Sequence, residues 1–432
     1  MKEILSRSRF LAGALALALF AHLFSFPYLA LVGWTAFFVL LSSRLLVRYW
    51  IAHLSVERSF PLRKGRIGDA ARGTVKAENT GRLPVPFLIL REHVDPGVKF
   101  QGARSALGML LPGRTMELLY TVTFEKRGYF QFGPAGVETG DLFGFFKRFR
   151  STGGSDHALI YPKTLVLSRY DVASRRPIGE LRITHRLFED PLLVASVREY
   201  RPGDPLRHIH WKASARTGVL QTKIFDPTTV IGATVVLDFD RARYGANPVG
   251  VARSELAVTL AASVAYHVYS KREKVGFLTN GSDAAERMRF APSDAEASAR
   301  RDALSHGRPA RASGPPTGML IPTRRSEEQA TRILEALARV ELSEGFPLEQ
   351  LLATFAPRLP RDASLIVITE HVDGPLAACL ESLRAGAFAV RVLCVTDPTT
   401  YRASLSALAS AGIDSQLVAD EGDMNEIAIR GI

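Results

Sequence analysis

The feature that most constrains this chain of 432 residues is a long uncharged stretch near its amino terminus. No Lys, Arg, Asp or Glu occurs between Arg9 and Arg44, and two apolar runs fill that gap, residues 10–26 and 28–43. Each run has about 17 residues, which is near the lower limit for a helix that crosses a hydrocarbon core about 30 Å thick. The sequence therefore predicts a transmembrane helix hairpin over residues 1–50.

The orientation of this hairpin follows from the cations beside it. Lys2, Arg7 and Arg9 precede the first run, Arg44 and Arg48 follow the second, and the turn between the runs has no cation. The positive-inside rule places both ends in the cytoplasm, so we expect a multi-pass membrane protein with cytoplasmic soluble domains. The alternatives are a cleaved signal peptide, since an Ala-Leu-Ala sequence in the first run resembles a cleavage site, or a single spanning helix.

Composition narrows the function classes. Hydrophobic residues make up 47% and charged residues 23% of the chain, which excludes a disordered, collagenous or coiled-coil protein. The formal net charge is +12, but arginine is spread along the whole chain instead of forming a basic stripe interleaved with aromatics, so nucleic-acid binding is not expected. The two cysteines, Cys379 and Cys394, exclude a disulfide framework and thiolate zinc or iron–sulfur sites.

A β-rich, sandwich-like domain is predicted for residues 54–165. Short alternating apolar runs are separated there by turns that contain Gly and Pro, a spacing typical of an antiparallel sandwich or barrel. The clearest runs cover residues 71–79, 87–94, 117–124 and 129–132. The aromatic segment 141–146 (DLFGFF) is expected to pack in a core or an interface, and no pattern in this region indicates catalysis.

The carboxyl-terminal half alternates strands and helices. Continuous apolar strands are predicted at residues 234–240, 274–279, 365–369, 390–396 and 416–419. Leu256, Leu260 and Val264 recur every four residues, which predicts a helix between the first two strands. Apolar strands separated by helices indicate a parallel sheet that is covered on both faces. Residues 281–318 interrupt the series with an insertion rich in Ala, Arg, Ser and Pro.

Acidic residues follow three of these strands. Asp238 and Asp240 come at the end of the first, Glu370 after the third and Asp397 after the fourth. The carboxyl ends of parallel strands form the ligand crevice of such sheets, so these carboxylates could gather and hold a hard cation such as Mg²⁺. The competing interpretation, which we favour, is that they cap helices or lie in solvated loops.

The segment from Arg198 to Arg216 (REYRPGDPLRHIHWKASAR) lies between the two halves. It resembles the hallmark of the bacterial family catalogued as domain of unknown function 58, which runs roughly Arg-x-Tyr-x-x-Gly-Asp-x-x-Arg-x-Ile-x-Trp-x-x-Ser/Thr-Ala-Arg. Every position of that pattern is filled here. The resemblance implies a bacterial inner-membrane protein of mixed fold class. Its first two parts would be the helix hairpin and the β-sandwich-like segment. The third part, residues 195–432, would contain the hallmark segment and an α/β Rossmann-like (von Willebrand factor A-like) domain.

Five residues of this segment are candidate binding residues: Arg201, Asp204, Arg207, Trp211 and Arg216. Asp204 stands in a Pro-Gly-Asp turn among the three arginines, so we expect an ion-pair and hydrogen-bond cluster that fixes the turn. Trp211 is expected to bury a large apolar surface beside it. Such a cluster can serve as a rigid corner, or as an interface for a partner, without any chemistry.

Two chemical interpretations of the same segment are weaker. His208 and His210 alternate along a strand and could share one face as metal ligands, although no third ligand is evident. Ser214 and His210 could act as a nucleophile and its base, but no oxyanion-hole loop or nucleophile elbow accompanies them.

The resemblance also implies where a divalent ion would bind. A von Willebrand factor A-like domain uses Asp-x-Ser-x-Ser after its first strand, together with a Thr and an Asp from later loops. Here the first element reads DFDRA from Asp238 to Ala242, which lacks both hydroxyls, and Glu370 stands where the later Asp would be. We therefore predict no metal ligands and no cofactor.

Together these features predict a non-enzymatic, membrane-anchored protein-binding or adaptor module. Members of the family are often encoded beside MoxR-type AAA+ ATPases, so the resemblance implies such an ATPase as the partner in a chaperone or envelope process. The chain itself has no Gly-x-x-x-x-Gly-Lys-Ser/Thr nucleotide loop. The alternative is a metal-dependent hydrolase that uses the strand-end carboxylates of the α/β domain.

Overall fold

The computed structural model describes residues 2–95, 97–152, 154–167, 194–201, 208–225, 232–290, 318–344, 346–361, 363–386 and 388–426. The chain divides into two compact units. The first consists of Met1–Lys163, Asp283–Pro315 and Leu334–Glu341. The second consists of Thr164–Ser282, Pro316–Ile333 and Leu342–Ile432.

The amino-terminal segment forms two helices that pack against each other, α1 (Lys2–Leu23) and α2 (Pro27–Ala52). The packing is close because Gly33 has no side chain: a Cβ atom there would lie 2.7 Å from the Cα atom of Ala18. Small residues at a helix contact permit this approach. Of the described helices, α2 alone is long and apolar enough to cross a membrane, and the apolar part of α1, Phe10–Leu23, is shorter.

The first unit continues with strands β1 to β11, which form three sheets. They are β1 (Leu54–Ser59), β2 (Lys64–Arg66), β3 (Ala70–Asn79), β4 (Val85–Arg91), β5 (Lys99–Gly102), β6 (Ser105–Leu110), β7 (Thr115–Thr123), β8 (Gly128–Phe132), β9 (Ala135–Gly140), β10 (Lys147–Thr152) and β11 (Asp156–Tyr161). Two sheets are four-stranded and antiparallel, with the orders β1-β3-β7-β5 and β10-β9-β4-β6. The third, β2-β11-β8, contains one parallel pair.

The two four-stranded sheets share one hydrophobic core because alternate residues of their strands are apolar and buried. Val75 and Ala77 of β3 and Leu88 and Leu90 of β4 are fully inaccessible to solvent. The predicted β-rich segment is thus confirmed, and its clearest runs coincide with β3, β4, β7 and β8.

The aromatic segment 141–146 lies mostly outside the core. It forms the turn between β9 and β10, in which the side chain of Asp141 accepts a hydrogen bond from the backbone N of Phe146 at 2.6 Å. Phe146 is buried as expected, but Leu142, Phe143 and Phe145 are 79%, 65% and 45% exposed. A turn closed on its own backbone leaves these three side chains outside the core.

The described strands of the remaining chain centre on one six-stranded sheet. The strands are β12 (Val194–Glu199), β13 (Gln221–Phe225), β14 (Gly232–Leu237), β15 (Lys274–Thr279), β16 (Ser282–Asp283), β17 (Met319–Arg324), β18 (Val340–Glu341), β19 (Ser364–Thr369), β20 (Val390–Cys394) and β21 (Asp414–Leu417). The sheet order is β17-β15-β14-β19-β20-β21, and only β17 runs antiparallel to its neighbour. Every residue of β14 and β20 is buried, which indicates cover on both faces. The predicted parallel sheet is confirmed, with an antiparallel edge strand that was not predicted.

Helices connect these strands. They are α3 (Trp211–Thr217), α4 (Arg241–Tyr244), α5 (Pro248–Ser270), α6 (Ala284–Phe290), α7 (Gln329–Arg339), α8 (Leu348–Phe355), α9 (Gly374–Ala385) and α10 (Pro398–Ser410). The predicted apolar stripe lies on α5, which packs against β14 and β15 through residues such as Leu260 and Val264. Residues 291–317 of the predicted insertion lie outside the described residues.

Candidate functional site

An antiparallel ribbon of β12 and β13 carries the family-like segment. The backbone N of Tyr200 extends the ribbon by donating to the carbonyl of Leu220 at 2.8 Å. The described chain leaves the ribbon after Arg201, pairs Ile209 with Thr222, and then forms the short helix α3. The segment is therefore a ribbon followed by about two turns of helix.

His210 and Ser214 hold α3 to this ribbon. The Nδ1 atom of His210 accepts a hydrogen bond from the backbone N of Ala213 at 3.1 Å and so caps the helix. The hydroxyl of Ser214 donates to the carbonyl of His210 at 3.1 Å and accepts from the backbone N of Gln221 at 2.8 Å. These contacts explain both side chains structurally and support neither a nucleophile with its base nor a metal-ligating histidine pair.

The segment exposes four large apolar side chains. Trp211 is 68% exposed, and Val197, Val219 and Leu220 are between 40% and 50% exposed. We call these four side chains the apolar ribbon surface. The expectation that Trp211 buries a large apolar area is wrong, because α3 buries none of its residues.

The other predicted binding residues divide into two groups. Arg201 and Arg216 are exposed in the same segment, together with Lys212 and the acidic Glu199. Asp204 and Arg207 lie outside the described residues, so the ion-pair cluster around Asp204 stays a prediction. A segment that exposes a Trp together with aliphatic side chains and cations has the composition of a protein-binding hot spot.

A second cluster lies at the carboxyl edge of the six-stranded sheet. The strand order reverses between β14 and β19, and such a switch point opens a crevice at the strand ends. Asp238 follows β14 at this point and is fully buried. Its Oδ1 atom accepts from Nδ2 of Asn280 and its Oδ2 atom from Oγ1 of Thr369, each at 2.9 Å. The ends of β14, β15 and β19 thus converge on one carboxylate.

Arg243, from α4, supplies positive charge to this cluster. Its Nε atom lies 3.5 Å from Oδ2 of Asp238, and its Nη1 atom lies 2.9 Å from Oδ2 of Asp373. A third contact, at 3.6 Å, joins Nη2 to Oε2 of Glu349. Burial raises the pKa of Asp238, and the hydrogen bond from Asn280 and the charge of Arg243 oppose that rise.

Arg253, from α5, neutralises the next two strand ends. Its guanidinium lies 2.7 Å from Oε1 of Glu370 and 2.9 Å from Oδ2 of Asp397. Burial favours the neutral form of Glu370, but hydrogen bonds from His371 and Arg253 bring its pKa below the usual value. Hydrogen bonds from Thr399 and its neighbour lower the pKa of Asp397.

Two of the strand-end acids cap helices, as expected. Asp240 accepts from the backbone N of Ala242 at 3.1 Å at the start of α4. Asp397 accepts from the backbone N atoms of Thr399 and Thr400, both at 3.0 Å, at the start of α10. The cap interpretation is therefore confirmed for these two residues, whereas Asp238 holds strand ends together.

The donor set does not fit the divalent-ion site that the family resemblance implies. Arg243 places a guanidinium against Asp238, which would be the first ligand, and Arg253 engages Glu370. Within the part of the chain that the structure describes, no group of three or more His, Cys, Asp or Glu side chains is placed to hold a metal ion.

Arg243, Arg253 and Asn280 are functional candidates that sequence reasoning missed. Arg243 stands five residues after Asp238, so its proximity could have been inferred from the short α4 turn. Asn280 directly follows β15 in the way that Asp238 follows β14, and parallel register brings such positions together. Arg253 reaches the edge from within α5, and no local sequence signal indicates this.

Comparison with known proteins agrees with the hallmark segment. A family model described as "Protein of unknown function DUF58" matches residues 196–315. The chain is 25% identical over 216 residues to the uncharacterized protein YeaD of Bacillus subtilis (strain 168), a match that covers 48% of this chain and 54% of that protein. Both matches support the DUF58 family.

Two solved structures each resemble about a quarter of the chain. The CARDB domain of a Pyrococcus furiosus protein is 16% identical with a TM-score of 0.19, over 25% of this chain and 94% of that chain. The native conformation of E. coli alpha-2-macroglobulin is 17% identical with a TM-score of 0.22, over 26% of this chain and 7% of that chain.

Proposed function

We propose that the chain is a non-enzymatic, membrane-anchored module that binds another protein through the apolar ribbon surface. The observation that carries the proposal is the 68% exposure of Trp211 within the segment that resembles the family hallmark. A Trp side chain left in water is costly unless a partner covers it, and buried Trp residues dominate protein interfaces. The exposed cations Lys212 and Arg216 favour a partner with an acidic surface.

The partner that we propose is a MoxR-type AAA+ ATPase, in a chaperone or envelope process. Its support is the resemblance to a family whose members are often encoded beside such ATPases. The α/β unit is proposed to be von Willebrand factor A-like, supported by the position of Asp238 after a central strand and of Thr369 beside it. In such a domain Arg243 and Arg253 would neutralise the carboxylates of the crevice in place of a metal ion. This favours protein binding over metal-dependent hydrolysis.

The membrane part of the proposal is a two-helix anchor in the bacterial inner membrane with both ends in the cytoplasm. Its support is the length and apolar character of α2, the packing of α1 against it, and the cations beyond both helices. The soluble units would then meet cytoplasmic proteins, where an ATPase is available.

The test is co-purification of the full chain with a MoxR-type ATPase of the same organism, both expressed together and extracted in detergent. Trp211→Ser should weaken the interaction at least about tenfold, as expected for a hot-spot aromatic. The matched control is Tyr266→Ser, since Tyr266 is also aromatic, 47% exposed and in the same unit, but lies on α5. Equal binding by both variants, or no binding by the parent chain, would refute the proposal.

A further inference from the structure

Three loops of the first unit lie at one end of the two four-stranded sheets. Glu78 pairs with Thr115, so the loops after β3 and before β7 leave the sheet together. Val85 pairs with Leu110, which brings the start of β4 to the same level. Thr139 pairs with Leu88, so the turn after β9 belongs to this end as well. We call residues 80–84, 111–114 and 141–148 the sandwich end.

The candidate membrane helix α2 ends at this same end of the two sheets. The hydroxyl of Tyr49, in its last turn, accepts a hydrogen bond from the backbone N of Arg82 at 2.9 Å. The hydroxyl of Thr80 donates to the carbonyl of His53, the residue after the helix, at 2.7 Å. A membrane that holds α2 is therefore adjacent to the sandwich end.

The sandwich end exposes large apolar side chains. Leu142, Phe143 and Phe145 protrude from the turn between β9 and β10. Leu83 and Leu111, on the neighbouring loops, are 41% and 48% exposed. The loops are not loosely held, because buried Asn79 donates hydrogen bonds to the carbonyls of Leu83 and Leu110. Exposed apolar side chains that are gathered on fixed loops are typical of an interaction site.

The exposed charges of the sandwich end are all positive. They belong to Arg82, Arg114, Lys147 and Arg148, while the acidic side chain in these segments, Asp141, is buried in its own turn. Arg44 and Arg48, exposed on α2, extend the positive surface toward the helix. Exposed apolar side chains and exposed cations at one end of the sheets match an anionic bilayer. Its acyl region would take the apolar side chains, and its headgroups would attract the cations.

We propose that the sandwich end docks onto the surface of an anionic lipid bilayer, with the side chains of Leu142, Phe143 and Phe145 inserted among the lipids. This contact would hold the β-rich unit against the membrane at a second point. Without it, α2 alone would connect the unit to the membrane. It rests on the membrane anchorage proposed above, and it commits to lipid as the occupant because the surface is continuous with the end of α2.

The experiment uses the full chain reconstituted into vesicles that contain phosphatidylglycerol. A nitrobenzoxadiazole label is attached at Phe143→Cys, in a Cys379→Ser background, since Cys394 is fully buried. The matched control carries the label at Lys126→Cys, an exposed position on the loop between β7 and β8, at the opposite end of the sheets. Brominated lipids should quench the label at position 143 at least about twofold more than the label at position 126.

A further pair of substitutions tests the role of charge. Arg114→Glu with Arg148→Glu should reduce the quenching at position 143 in vesicles with phosphatidylglycerol and should have little effect in neutral vesicles. If the protein floats with the vesicles but the labels at positions 143 and 126 are quenched equally, this inference is overturned and the proposed membrane anchorage is retained. Failure of the chain to float with the vesicles would overturn both.

Discussion

The Nε atom of Arg243 lies 3.5 Å from Oδ2 of Asp238, a carboxylate that solvent cannot reach. Two further donors, Asn280 and Thr369, complete the environment of that carboxylate. A charged group in the interior is tolerated only where it is paired and hydrogen-bonded. The crevice at the switch point of the sheet therefore carries its own internal counterion.

Arg243→Ala should destabilise the chain by about 3–5 kcal/mol, because it leaves the buried carboxyl group of Asp238 without its cation. The measurement is urea unfolding of the detergent-solubilised protein, followed by circular dichroism. The matched control is Arg241→Ala, two residues earlier on the same short helix. Its ion pair with Glu344 at 2.9 Å is half exposed, so its loss should cost about 0–1 kcal/mol.

A double variant separates charge from packing in this pair. Arg243→Met with Asp238→Asn removes both charges at similar volume, and it should recover a large part of the stability lost in Arg243→Ala. Equal loss in the Arg243→Ala and Arg241→Ala variants would show that the Arg243 pair is not what holds the crevice together.

Much of the architecture follows from patterns that are visible in the sequence. Residues alternate in β3 because one face of that strand is buried, and apolar residues are continuous in β14 because both of its faces are buried. The periodicity of apolar residues in a sequence follows this burial directly. The capping roles of Asp240 and Asp397 could also be predicted, because a helix cap is a contact between residues at most three positions apart in the sequence.

The parts that could not be predicted depend on contacts between distant residues or on the direction of a side chain. Arg253 engages Asp397 across 144 residues of sequence, and no local pattern encodes that distance. Trp211 is a large apolar residue for which burial is the default expectation, yet α3 is too short and too isolated to provide cover. Whether an aromatic residue faces a core or a partner is decided by tertiary structure.

Asn280→Ala should cost about 2–4 kcal/mol, because three buried groups lose their partner at once. The side chain of Asn280 donates to Asp238 and to the carbonyl of Phe346, each at 2.9 Å, and accepts from the backbone N of Phe239 at 2.6 Å. The control is Asn247→Ala, which removes an exposed helix cap at the start of α5 and should cost about 1 kcal/mol. Denaturant midpoints of the two variants provide the comparison.

Glu92 should make stability depend on pH. Its side chain is buried beside Arg58, and burial raises its pKa from the ordinary 4.5 to about 7. Between these values the folded state binds more protons than the unfolded state, so this contribution is complete below the lower value and is lost as pH rises through the higher one. The loss amounts to at most about 3 kcal/mol.

The Glu92 prediction is measured as the urea midpoint between about pH 5 and about pH 8. Glu92→Gln should abolish the decline, because the amide does not titrate in this range. Glu117→Gln is the control, since Glu117 is exposed and pairs with Lys76 at the surface, and it should keep the slope of the parent chain. A parent chain whose midpoint is constant over this range would contradict the prediction.

Topology is tested with reporter fusions. A fluorescent protein fused after Ile432 should fluoresce, and alkaline phosphatase at the same position should be inactive, because the cations place both flanks of the helices in the cytoplasm. Alkaline phosphatase inserted after Ser25, between α1 and α2, should be active. An inactive phosphatase at Ser25 would indicate that α1 does not cross the membrane, and an active one after Ile432 would reverse the orientation.

Mg²⁺ or Mn²⁺ at millimolar concentration should leave the melting temperature of the full chain in detergent unchanged. A ligand that binds only the folded state stabilises it by RT ln(1 + [L]/Kd), where [L] is the ligand concentration and Kd its dissociation constant, so a working ion site would raise the melting temperature. Here Arg243 and Arg253 already neutralise Asp238, Glu370 and Asp397, and Ala242 offers no hydroxyl to the octahedral shell that Mg²⁺ requires. A rise of several degrees that disappears in Asp238→Asn, but persists in Glu344→Gln on the exposed surface, would instead establish a metal site at the crevice and restore the metal-dependent hydrolase as the leading alternative.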